Sequence, residues 1–377
     1  MGRIEELVNY YEKKLTEQYL RANTKSKRKK LVRDLIAFKQ ICTERFELDK
    51  TFAWECDTEI LKLSKSGRVQ FVKEVANNGV MYNEIFTNVL NKFIDEEYPI
   101  YKYYQKDYQK LTLKEVQELI FDFLNYYDEK LLQDLKNKMD NDEVLCGPLI
   151  GYKGTTYSFG SINTNLMFYT PVYGCNIDSA STIVHEFGHC VEMDVYYKVG
   201  RVDYFDIVRG SPYNEISSRF LEYTFLNYLK ENNILMEEVN KRIHRFLFDL
   251  LVRSYEIMMI YRLEEIDIDE LDNVYIVDDS IKEEAEEIQK KINYYSLQSS
   301  PGDIFKYRNS FLYGIGTLSS IMLYEKFKEN PKYFKKEFTN ACLSYPNLGL
   351  SAFEKVGLTK ESMIEGVPLR RLLRSSK

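Results

Sequence analysis

Histidine is scarce in this chain, with 3 among 377 residues, so any site built on imidazoles has few to draw on. The 6 cysteines, Cys42, Cys56, Cys146, Cys175, Cys190 and Cys342, form no C-x-x-C pairs, which excludes the usual thiolate metal sites. Free thiols in a reducing compartment are their simplest account. No stretch is long and apolar enough to span a bilayer. The start, Met1-Gly-Arg-Ile-Glu-Glu-Leu-Val, carries charges where a signal peptide needs an apolar run, and Gly2 lacks the following Ser or Thr of a myristoylation signal. These absences predict a cytoplasmic chain without a membrane partner. Positive charge is also short, 52 Lys and Arg against 58 Asp and Glu, and the net charge of −6 argues against general nucleic-acid affinity. There is no internal repeat and no low-complexity linker.

What is present is the composition of a soluble globular protein, long enough to bury a large core as two lobes rather than two independent domains. Residues 1–140 read as an N-terminal helical lobe. Leu7, Tyr10, Tyr11 and Leu15 form an apolar stripe, and similar patterns recur around 32–47, 80–95 and 113–137. The basic run Lys25-Ser-Lys-Arg-Lys-Lys30 reads as a solvated helix end. Residues 141–377 form the second lobe, with a soft boundary. It opens on strand chemistry, where glycines punctuate Tyr152-Lys-Gly-Thr-Thr-Tyr-Ser-Phe159 and Leu166-Met-Phe-Tyr-Thr170. An open edge of such a sheet would bind an extended peptide through main-chain hydrogen bonds, with Phe168 and Tyr169 as substrate-binding candidates. A hairpin buried on both faces is the equal alternative. Helix returns from 234 to about 260, and the acidic blocks 264–270 and 278–287 read as solvated faces. Tyrosine is abundant, 31 residues, which suits a groove of amphipathic rings or simply a Tyr-rich core.

Two of the three histidines fall in one pentad, His185-Glu186-Phe187-Gly188-His189. Ile183, Phe187, Cys190 and Val191 recur at helical spacing, with Asp178 as the expected N-cap and Gly200 as the expected stop. On a helix, positions i and i+4 project from one face, so both imidazoles can reach one ion while Glu186 sits beside them. Those are the parts of a zinc hydrolase: two neutral nitrogen ligands and a carboxylate that takes a proton from water. The competing reading is a chance pentad on an ordinary helix. A third ligand is on offer in Gly210-Ser-Pro-Tyr-Asn-Glu-Ile-Ser-Ser-Arg-Phe-Leu-Glu-Tyr223. Ser211 as N-cap and Pro212 behind it would start a helix, with Glu215 in its first turns and Glu222 two turns later on the same stripe. We assign Glu215 as the third zinc ligand and Glu222 as the carboxylate that orients a ligand histidine. The alternative for Glu222 is an ordinary solvated or salt-bridged side chain. His244, among charged and apolar residues, reads as structural.

Together, His185-Glu-Phe-Gly-His189 and Glu215-Ile-Ser-Ser-Arg-Phe-Leu-Glu222 resemble the thimet oligopeptidase and oligoendopeptidase F family, where a Glu-x-x-Ser-x-x-x-Glu helix supplies the third ligand. Asn165-Leu-Met-Phe-Tyr-Thr170, Asp178-Ser-Ala-Ser-Thr182, Tyr313-Gly-Ile-Gly316 and Pro346-Asn-Leu-Gly-Leu-Ser-Ala-Phe-Glu-Lys-Val-Gly-Leu358 fall in the matching order. The resemblance implies a mainly α, two-lobed helical metallopeptidase with a small β-sheet beside the zinc-binding helices. It implies one Zn2+ per chain on His185, His189 and Glu215, Glu186 as general base, and short peptides as substrates, selected by a channel between lobes. It also implies a tyrosine that stabilises the oxyanion, for which Tyr313 and Tyr307 are the best matches. Two departures stand out: no His follows His244, where the family has one shortly before its tyrosines, and the N-terminal part is much shorter than usual. An inactive zinc- or peptide-binding protein of the same fold is therefore the alternative to a zinc endopeptidase.

Overall fold

Helix dominates the residues described by the structure, a computed structural model: 78, 80–96, 108–140, 144–146, 157–161, 164–169, 175–198, 213–261, 304–365 and 372. The side chains of 144–146, 157–161, 164–169, 193–198, 259–261, 304–310 and 345–348 lie outside that description. The helical pattern at 32–47, the basic run at 25–30, both acidic blocks and Gly200 also fall outside the described residues.

The first described helix, α1 (80–95), coincides with one of the apolar stripes expected from the sequence. The pattern at 113–137 is two helices, α2 (Leu113–Tyr127) and α3 (Glu129–Asp140). Thr112 caps α2 in a reciprocal box with Glu115: the Glu115 amide donates to Thr112 Oγ1, and the Thr112 amide donates to Glu115 Oε2. Asp128 breaks the run. Its backbone is extended, and its carboxylate accepts from the Lys130 amide at 3.0 Å, ending one helix and starting the next. Three short strands follow, β1 (Val144–Cys146), β2 (Tyr157–Ser161) and β3 (Thr164–Tyr169). Their backbones pair in the order β1-β3-β2, parallel between β1 and β3 and antiparallel between β2 and β3.

The remaining helices are α4 (Ile177–Lys198), α5 (Ile216–Glu231), α6 (Met236–Tyr261), α7 (Ile304–Glu329), α8 (Pro331–Leu348) and α9 (Lys360–Glu365), with a 3-10 stretch at Gly349–Val356. Gly349 adopts φ +57°, the left-handed conformation that ends α8 at little cost for a residue without Cβ. Two expected helix starts are corrected. Asn176, not Asp178, caps α4: its carboxamide accepts from the Ser179 amide at 3.0 Å, and its carbonyl accepts from the Ala180 amide. The helix after Ser211 and Pro212, which lie outside the described residues, begins at Ile216, so Glu215 occupies the N-cap position rather than the first turns.

At the centre lies α5, packed against α4, α6 and α7. Every residue from Ile216 to Leu226 is buried, as expected for a helix surrounded on all sides. Phe220 anchors it, its ring 5.2 Å from Phe334, 4.9 Å from Phe338 and 6.1 Å from Phe327. The N-terminal α1 joins the same core: Tyr82 meets Phe311 of α7 edge to face at 4.6 Å, and its hydroxyl hydrogen-bonds to that of Tyr213 just before α5. Phe220→Ala is expected to lower the unfolding free energy by about 3–5 kcal/mol in urea titration. The exposed Tyr333→Ala should change it by less than about 0.5 kcal/mol. Equal effects would mean that α5 is not the centre of the core.

Candidate metal centre

Two helices can share a metal ion only if their backbones come close, and a glycine permits it here. A Cβ on Gly188, inside the His185–His189 pentad, would lie 2.6 Å from Ser218 Cα of α5 and 3.3 Å from the Ser217 carbonyl. On the other side, a Cβ on Gly316 of α7 would lie 2.7 Å from Glu215 Cβ and 2.9 Å from its carbonyl oxygen. Glycine thus lets α4 and α7 close on the start of α5 from two directions.

That approach brings three of the expected residues together. His185 and His189 present their rings nearly perpendicular, with centroids 5.0 Å apart. Glu215 Oε2 lies 3.3 Å from His185 Nε2 and 3.5 Å from His189 Nε2. One ligand atom from each of the three falls within 4.8 Å of the others, so this group can hold a metal ion. The electrostatics agree. Burial alone would raise the Glu215 carboxyl, but His189 and His185 outweigh it and hold it well below the usual carboxylate range. Burial alone would lower His185, but Glu215 and Glu222 lift it to about 9. His189 is raised as well, where burial is again outweighed by Glu215. A buried carboxylate facing two imidazoles favours positive charge between them, whether proton or metal ion.

Glu222 is buried rather than solvated, 1% exposed, and its oxygens are surrounded by donors. Ser181 Oγ donates to Oε1 at 2.7 Å and Arg242 at 2.6 Å, while Arg219 donates to Oε2 at 3.3 Å. His185 Nδ1 lies 3.1 Å from Oε2. Burial would raise the Glu222 carboxyl, but Arg242 and Arg219, with His185, hold it far below the ordinary range. As a carboxylate it can only accept, so Nδ1 carries the proton and Nε2 is left facing Glu215. Arg242 also reaches Asp178 Oδ1 at 3.0 Å, which gives that residue a partner in place of the expected cap.

Tyr313 reaches the same place from α7. Its hydroxyl pKa is raised by Glu215 first, then by burial and Glu186, against the lowering effect of Arg219 and Arg253. It is therefore a neutral hydrogen-bond donor. The charge of Glu186 acts on both His189 and Tyr313. Tyr307 lies on α7, and Phe168 and Tyr169 on β3, by backbone alone; their side chains fall outside the described residues. His244 is buried on α6 and is absent from the metal-capable group among the described residues. Sequence reasoning missed Ser181, Arg219 and Arg242. Ser181 was the legible one, four residues before His185 and so on the same helix face.

No protein-family model matches the chain, and no curated protein does. Solved structures do. A Chlamydophila abortus protein provisionally assigned as a peptidase is 16% identical with a TM-score of 0.56, over 79% of this chain and 56% of that one. A protein provisionally assigned as oligoendopeptidase F is 12% identical with a TM-score of 0.50, over 98% of this chain and 75% of that one. The chain has the fold of these peptidases. A third, from Bacillus anthracis and likewise assigned as oligoendopeptidase F, is 16% identical with a TM-score of 0.49, over 96% of this chain and 69% of that one. The chain spans 56% of the length of the Chlamydophila abortus protein. Within this peptidase fold, no described helix is long and apolar enough to cross a membrane.

Gly188→Ala tests the close approach directly. It is expected to cost at least about 1–3 kcal/mol of stability, as overpacking against backbone does, and to weaken divalent-metal binding as α4 moves away from α5. Calorimetric melting and a metal titration measure the two effects. A variant as stable and as metal-competent as wild type would show that the contact does not set the site.

Proposed function

We propose that the chain is a zinc-dependent endopeptidase that hydrolyses peptide bonds in short peptides. The single observation that carries this reading is the convergence of His185, His189 and Glu215 from two helices, with Glu186 and Tyr313 beside them. The donor set, two imidazoles and one carboxylate, is that of catalytic zinc sites that keep a fourth position for water or substrate. A bound Zn2+ would supply Lewis acidity, polarising the scissile carbonyl and making a water acidic enough to ionise near neutral pH.

The chain's own residues supply the rest. Glu186 takes the proton of the attacking water as general base and returns it to the leaving amine. Tyr313, a neutral donor, hydrogen-bonds the carbonyl oxygen as negative charge develops on it. Glu222 holds His185 by Nδ1, fixing the tautomer that offers Nε2 as ligand. Tyr307 is the second tyrosine candidate. Phe168 and Tyr169 on β3 would line the substrate, and the small sheet beside α4 would bind peptide main chain. Since β3 is central among the described strands, pairing would fall to β1 or β2. The buried thiols of Cys175, Cys190 and Cys342 suit a reducing, cytoplasmic setting.

Purified protein is expected to carry about one zinc per chain by elemental analysis, lost in His189→Ala and Glu215→Ala. Glu222→Gln should weaken zinc affinity about 10–100-fold without abolishing it. In steady-state cleavage of a quenched-fluorescent peptide library, Glu186→Gln should keep zinc but lose a factor of about 10²–10⁴ in turnover. Folded, zinc-loaded wild type that cleaves no peptide would replace this reading with that of an inactive binding protein. Equal cleavage by Glu186→Gln would move the general base elsewhere.

A further inference from the structure

The guanidinium of Arg219 lies over two aromatic rings. Its central carbon sits 4.9 Å from the centroid of Tyr313 on α7 and 5.2 Å from that of Phe246 on α6. Its edge nitrogens face carboxylates, Glu222 Oε2 at 3.3 Å and Asp249 Oδ2 at 3.8 Å. The side chain is buried, so neither contact is diluted by water. A planar guanidinium can do both at once, stacking with its faces and donating from its edges, which an ammonium cannot. Arg253 approaches the Tyr313 ring as well, at 5.9 Å, so the phenol is held by cations from two helices.

We propose that Arg219 is a positioning residue that couples the two halves of the site: through Glu222 it fixes His185, and through its face it fixes the Tyr313 ring that aims the oxyanion donor. The proposal rests on the hydrolytic reading of the same site. The route is short. Arg219 stands one turn after Glu215 on α5, so the helix that places the carboxylate beside the histidines also places the guanidinium beneath the tyrosine. His185, Glu222, Arg219 and Tyr313 thereby form a continuous chain of contacts from α4 through α5 to α7.

The test uses the full-length protein and the variants Arg219→Met, Arg219→Lys, Tyr313→Phe and Arg219→Met with Tyr313→Phe. Three readouts are taken: zinc affinity by chelator competition, kcat and KM on a short quenched peptide, and the ¹⁹F resonance of Tyr313 in fluorotyrosine-labelled protein, assigned by its loss in Tyr313→Phe. Arg219→Met should weaken zinc about 10–100-fold, as loss of an outer partner does, and lower kcat with little change in KM. Tyr313→Phe should cost about 10²–10³ in kcat in the wild type but less than about 10-fold once Arg219 is gone, because a misaimed hydroxyl has little left to lose. Arg219→Lys should keep near-wild-type zinc affinity, since the charge beside Glu222 remains, while kcat stays low and the Tyr313 resonance shifts. Fully multiplicative losses, or complete recovery of kcat and resonance by lysine, would overturn the coupling. If Arg219→Met fails to fold, Arg219→Lys decides alone: unchanged kcat and resonance overturn the proposal. A wild type without turnover would sink the peptidase reading, while the resonance and zinc titration would still decide the role of Arg219.

Discussion

Glu222 carries a negative charge into a place that water scarcely reaches, and much of the described structure answers to that fact. A buried carboxylate without compensation is costly, and breaking a buried ion pair by removing one partner typically costs about 3–5 kcal/mol. Here the compensation comes from three helices. Ser181 and His185 reach it from α4, Arg219 from its own helix α5, and Arg242 from α6. Asp178 then balances Arg242, and Asp249 balances Arg219. The network couples the helices in register as well as in distance, since a one-residue rotation of any of them would strand a charge. That is why a charged residue can occupy a helix whose residues from Ile216 to Leu226 are all buried.

Close backbone approach is the second constraint. Glycine inside a helix costs about 1 kcal/mol relative to alanine, so Gly188, Gly314 and Gly316 need a compensating contact. Gly188 lets α4 rest on the backbone of Ser218, Gly316 lets α7 rest on Glu215, and Gly314 faces Ile257 and Phe86. The ligand atoms therefore meet because main chains meet, not because flexible side chains reach across a gap. Groups carried on helices in this way need little rearrangement to meet at one ion.

Fold and chemistry separate in this protein. The architecture is shared with solved peptidases at 12–16% identity, a level at which few side chains need coincide. What a shared fold performs depends on the site grafted onto it. In this chain the site is compact: two histidines and a carboxylate able to hold a cation, and a tyrosine ring with a buried guanidinium 4.9 Å from its centroid. No histidine follows His244 in the sequence, and Arg219 and Arg253 lie 4.9 and 5.9 Å from the centroid of the Tyr313 ring.

Local pattern determined much of this by itself. The 3.6-residue period marked the helices at 80–95 and in the pentad segment, and the i, i+4 rule put His185 and His189 on one face. The spacing of Glu215 and Glu222 placed them on one stripe, and the structure brings both to the histidines. Helix ends were less legible. Asn176 caps α4 where Asp178 was expected; either side chain can accept an amide bond, and Asp178 pairs with Arg242 instead. Asp128 splits the 113–137 pattern without interrupting its apolar stripe, so periodicity alone runs through it. Packing alone supplies the partners from distant segments: Arg242 on Glu222, the guanidinium of Arg219 over Tyr313 and Phe246, and glycines that admit a neighbouring backbone. Sequence records which side chains are available and how they repeat along one element. Which element lies opposite, and whether a buried charge finds its counterion there, is settled by how the helices pack.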